Sequence, residues 1–64
     1  MPPFQNEYTE FYVNQVQNGT LDIADLQAYD QAVQNSIQQI GDDDGRDTKI
    51  HQSIIEAITT VTSH

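Results

Sequence analysis

In three stretches of this chain apolar residues recur at steps of three and four, and glycines stand between the stretches. That spacing lines up side chains on one face of an α-helix and is incompatible with the two-residue alternation of a half-buried strand. The first stretch, predicted to be helical over 3–17, starts after Pro2 and Pro3 and stops before Gly19. It places Phe4, Tyr8, Phe11, Tyr12 and Val16 on one broad face, and every aromatic residue except Tyr29 lies in it. Helical apolar stripes usually face inward, so this one reads first as core and second as an exposed docking strip.

The second stretch, predicted over 22–40, carries the best local signal. Asp22 suits the N-cap, Asp25 occupies N3, and Leu21 and Leu26 hold the two positions of a hydrophobic staple. Ile23, Leu26, Tyr29, Val33, Ile37 and Ile40 follow, and Gly41 is placed as a C′ residue. At about 1.5 Å per residue this helix is on the order of 28 Å long. The third, predicted over 44–62, turns Ile50, Ile54, Ala57, Ile58 and Val61 one way, with Ile55 at the edge of that face and Asp44 or Asp47 as the cap. Its end, TTVTS, is rich in β-branched residues, which favour fraying. Short connections force neighbouring helices to run antiparallel, so residues 1–64 are expected to form one all-α domain, a small antiparallel three-helix bundle. The alternative that buries the same stripes is a helical hairpin that dimerises, with its first helix packed on the partner subunit.

A chain of 64 residues buries only about 60% of its unfolded surface. It also lacks cysteine, so neither a disulfide nor a thiolate metal site can reinforce the core. The net charge of −8 sets ten carboxylates against Arg46 and Lys49. Phosphate neutralisation drives non-specific nucleic-acid binding, so no direct contact with DNA or RNA is expected. The same field attracts basic partners. No run approaches the roughly 20 apolar residues of a membrane span. The opening MPPFQNEYTE lacks a signal peptide's basic and apolar regions, so a cytoplasmic location is expected.

Four of the ten carboxylates fall within GDDDGRD, Gly41 to Asp47. An EF-hand loop needs spaced oxygen ligands, a glycine at its sixth place and a glutamate at its twelfth. Setting Gly45 sixth puts Ile40 first and His51 twelfth, and starting at Asp42 or Asp43 fails as badly, so no metal site is expected. One or two aspartates can serve the N-terminus of the third helix, but like charges repel and four are more than capping uses. In an up-down-up bundle the start of the first helix shares an end with this loop. Glu7, Asp42, Asp43, Asp44 and Asp47 are therefore expected to form an acidic pole, interrupted by Arg46 and Lys49.

Gln27, Gln31, Gln34 and Gln38 recur at steps of four, three and four, on the side of the second helix away from its apolar stripe. An amide face costs less to desolvate than a charged one, so these residues with Ile55 could bury against another copy. Glutamine is also simply a good helix former. Catalytic chemistry finds little support. Ser36, Ser53 and Ser63 lack a glycine-flanked elbow, no cofactor fingerprint occurs, and His51 stands one turn after Asp47 in an ordinary surface spacing.

The expectation is a small acidic protein–protein interaction module and not an enzyme. It would be an inhibitor or adaptor binding a larger, basic-surfaced protein through the acidic pole or a helix face, with no cofactor. Its extreme form is a DNA mimic occupying a nucleic-acid-binding protein, although carboxylates clustered at helix ends do not line a face. In general character the chain is similar to small acidic helical proteins of phages and mobile elements, without a motif that assigns it to a family. The alternative is a structural, self-associating homodimer using the glutamine-rich and aromatic surface.

Overall fold

The computed structural model describes residues 7–63 and contains three helices, α1 (Glu7–Gln17), α2 (Ile23–Gln39) and α3 (Arg46–Thr62). Phe4 and the predicted helical residues before position 7 lie outside the described residues. Each boundary has a local cause. Asp22 precedes α2 with extended backbone (φ −93°, ψ 157°), and its N–H donates to the Asp25 carboxylate at 3.1 Å, the expected use of an acidic N3 residue. After α1, Gly19 N–H donates to Val16 C=O at 3.1 Å and Thr20 N–H to Gln15 C=O at 3.0 Å, the bond pair of a Schellman ending. After α2, Gly41 adopts φ 100° and donates to Ile37 C=O at 3.0 Å. A side chain at that φ would be strained, so glycine is the residue that stops the helix there.

Helix α3 is the centre of the molecule. It packs on both α1 and α2, which meet each other far less. His51 against Asp30 and Ser36 against Asp47 fix α2 and α3 as antiparallel, and the Tyr12 and Tyr29 rings meet between α1 and α2. The fold is therefore the small all-α, antiparallel three-helix bundle, with α1 packed on α3 of the same chain.

The buried cluster is Tyr12, Val13, Leu26, Ile54 and Ala57, with Tyr8, Val16, Leu21, Ile50, Ile58 and Val61 packed around it. Several expected core positions are instead at the surface. Phe11 is 54% exposed, Tyr29 45% and Ile40 85%, whereas Thr9 and Ser53 are fully buried and Asp30 nearly so. The reason is geometric. A helix with one close neighbour buries only the strip that faces it, and the stripes on α1 and α2 are wider than the strip α3 covers. Thr9 and Ser53 can lie inside because each finds an internal acceptor. Thr9 Oγ1 donates to Glu56 Oε1 at 2.8 Å, and Ser53 Oγ to Lys49 C=O at 2.7 Å.

Truncating the centre should cost far more than truncating the rim. Leu26→Ala and Ile54→Ala are each expected to destabilise by about 2–5 kcal/mol, and Phe11→Ala by roughly 0.5 kcal/mol or less. Urea unfolding followed by circular dichroism measures all three, and a Phe11→Ala cost equal to that of Leu26→Ala would show that the rim is core after all.

Candidate functional site

The Asp-rich loop is first of all the N-terminal anchor of α3. Gly45 N–H donates to Asp42 C=O at 3.2 Å, and the turn this closes, with Gly45 at φ 73°, folds the Asp42 side chain back under the helix start. One Asp42 oxygen accepts Asp47 N–H at 3.0 Å, and the other accepts Thr48 N–H at 2.9 Å and the Thr48 hydroxyl. The expected caps were Asp44 or Asp47, but Asp42 reaches the orphan N–H groups because the turn brings it there. The Thr48 hydroxyl bond, partly opposed by desolvation and then helped by the Thr48 and Asp47 N–H groups, holds the Asp42 carboxyl below its usual range.

The other loop aspartates have smaller tasks. Asp44 accepts Arg46 N–H at 3.0 Å and faces the Arg46 guanidinium at 3.7 Å, in an exposed pair of little energetic weight. Asp47 accepts the Ser36 hydroxyl at 3.3 Å, tying the loop to α2. Asp43 is exposed and makes no hydrogen bond or ion pair with the described residues. Glu7 is exposed on the first turn of α1, and no bond joins it to the loop residues. Beside it the Lys49 ammonium lies 5.6 Å from the centroid of the Tyr8 ring, within cation–π range, so a cation from the first turn of α3 stands next to the first turn of α1. Among the described residues no three His, Asp or Glu side chains converge as a metal-binding set.

A second acidic group is one the apolar-stripe reading of the sequence passed over. Asp30 is buried between α2 and α3, where one oxygen lies 2.6 Å from His51 Nδ1 and the other accepts Gln34 Nε2 at 2.7 Å. His51 thus turns to Asp30 across the helix interface, not to Asp47 one turn back. Gln34 is half-buried by this bond, while Gln27, Gln31 and Gln38 are exposed and Gln31 donates to Asn35 at 3.3 Å. Ile55 is 48% exposed. The Asp30–His51 register sets Gln27 at about the level of Ile55.

The third feature is aromatic. Phe11, Tyr12 and Tyr29 stand edge to face in series, with centroids 5.7 Å and 6.4 Å apart, across the open side of α1 and α2. Burial first, and then the neighbouring Tyr29 phenol, push the Tyr12 phenol up to about 12. Tyr12 is the floor of this seam, and Phe11 and Tyr29 are its exposed walls.

Comparison with protein-family models, curated proteins and solved structures returned no match. No helix among the described residues is long and apolar enough to cross a membrane.

Two measurements test this assignment of roles. A carboxyl held low in the folded state stabilises the fold above its unfolded titration range, and that contribution is lost as pH falls through its folded value. Asp42→Asn should therefore lower the urea midpoint at neutral pH, and its difference from the parent chain should shrink as the solution is acidified below the usual carboxylate range. A difference that does not change with pH would contradict the capping role. For the buried pair, a double-mutant cycle of Asp30→Asn and His51→Gln should return a coupling of about 0.5–3 kcal/mol. Strictly additive effects would mean that the contact holds nothing together.

Proposed function

We propose that this protein is a small acidic interaction module, an inhibitor or adaptor that docks on a larger protein with a basic surface. One observation carries the reading. Helices α1 and α2 present exposed carboxylates at Glu7, Glu10 and Asp25 and contain no Lys, Arg or His, while the chain's two strong cations, both on α3, are engaged with Asp44 and with the Tyr8 ring. The field of the molecule is therefore uncompensated over most of its surface, and such a field speeds and orients encounter with a cationic partner. Glu7, Glu10 and Asp43 are exposed carboxylates with no structural bond to keep, whereas Asp25, Asp42, Asp44 and Asp47 are exposed or half-buried and also anchor helix starts.

The mimicry form of this reading, in which carboxylates stand in for nucleic-acid phosphates, is less well supported. The acidic groups sit at a loop and at helix starts, and they do not trace a strand of phosphates. A partner that is itself a protein suits them better, and a cytoplasmic setting accords with a cysteine-free chain.

The second reading is homotypic assembly, favoured by the exposed Ile55 on α3 and the exposed amides of Gln27, Gln31 and Gln38 on α2, with Gln27 at about the level of Ile55. Light scattering separates the two, since an apolar and amide dimer interface responds little to salt and an acidic docking surface is screened by it.

Panning a displayed library of random peptides on the immobilised protein at low salt should select sequences with net positive charge. Glu7→Gln, Glu10→Gln and Asp43→Asn combined should weaken the selected peptides by about tenfold or more, corresponding to 1.4 kcal/mol or more of binding energy, while leaving the urea midpoint unchanged. A selected pool that is neutral or acidic, or one indifferent to the triple variant, would overturn the proposal.

A further inference from the structure

We infer that the aromatic seam of Phe11, Tyr12 and Tyr29 is a docking site for a cationic amphipathic helix of a partner protein. The inference rests on the acidic-module reading and adds to it the place of contact and the shape of what is bound. Three observations on different parts of the molecule lead there.

The seam is apolar, open and continuous. Phe11 and Tyr29 each leave about half of a large ring in water although both belong to stripes of core spacing, and Tyr12 joins them. The ring spacing of 5.7 and 6.4 Å matches the roughly 5–6 Å between side chains one helical turn apart. A helix laid across the seam could set successive apolar side chains on successive rings, the usual way an amphipathic helix is held between two others.

The ends of the seam are acidic. Glu7 lies one turn before Phe11 and Asp25 one turn before Tyr29, and both are exposed. Glu7 belongs to the α1 end of the aromatic row and Asp25 to its α2 end, and because the two helices run antiparallel the carboxylates are offset in opposite directions along the helix axes. The complementary ligand has an apolar middle and cations towards both ends.

The charge also argues against a second copy as the occupant. Each copy carries a net charge of −8, and α1 and α2 offer no cation to set against the partner's carboxylates. Face-to-face pairing of two seams would bring like charges together at both ends, which is costly at an interface.

The test uses the whole chain and two synthetic leucine–lysine peptides of identical composition, one with leucines on a single helical face and one scrambled, with amide chemical-shift mapping and titration calorimetry. The amphipathic peptide should bind more tightly than the scrambled one, shift Phe11, Tyr12, Tyr29 and their neighbours, and become helical. Phe11→Ala and Tyr29→Ala should each weaken it by about tenfold, with unfolding midpoints close to the parent's. If both peptides bind alike and shift only Asp42 to Asp47, the seam proposal fails and the acidic-module reading stands. If neither peptide binds at low salt, both fail together. If light scattering gives a dimer that Phe11→Ala dissociates, the seam belongs to a second copy and the proposal is overturned.

Discussion

Carboxylates outnumber strong cations five to one in this chain, so those that are bonded within the protein mostly take donors other than Lys and Arg. That constraint organises the molecule. Asp42 takes the orphan N–H groups of α3, Asp25 takes the N–H of Asp22, and Asp44 takes that of Arg46. Asp30 takes His51 and Gln34, Glu56 takes Thr9, and Asp47 takes Ser36. Backbone N–H groups at helix starts are the one donor supply that every helical protein has in excess. The aspartates grouped at helix starts use that supply.

The same bonds hold the helices in register. Three of them, from Thr9, His51 and Ser36, join side chains on different helices, and all three have an end on α3. A small core tolerates few buried polar groups unless each is paired, and among the described residues no buried side-chain nitrogen or oxygen lacks a partner. The apolar cluster supplies the drive to collapse, while the polar contacts favour one alignment of the helices over slipped ones.

What remains after this internal pairing is informative about function. Glu7, Glu10 and Asp43 accept nothing from the described residues, and Phe11, Tyr29 and Ile55 are large apolar groups left partly in water. The open side between α1 and α2 collects the aromatic part of this surplus. Because the carboxylates that anchor the helices are distinct from Glu7, Glu10 and Asp43, charge at those three exposed positions can change with little effect on the fold.

The sequence by itself determined the elements, because helix periodicity, an N-cap with its N3 acid and a C′ glycine are interactions among residues a few positions apart. Leu26, Val33, Ile54 and Ala57 could be read as inward-facing on that ground alone, and so could the ends of α2. Only the tertiary structure decided which aspartate anchors α3, since Asp42 reaches its targets through a turn and not through a fixed spacing. It also decided that Asp30 and His51 meet. Both lie on the inward faces of their helices, Asp30 four residues after Leu26 and His51 three before Ile54, which was a legible signal. A polar residue on an apolar stripe nonetheless discloses its partner only once another helix is set beside it. Phe11 and Tyr29 are the converse case. Their spacing is that of core residues, and they stay at the surface because burial depends on how closely α1 and α2 approach, a distance that no local pattern encodes.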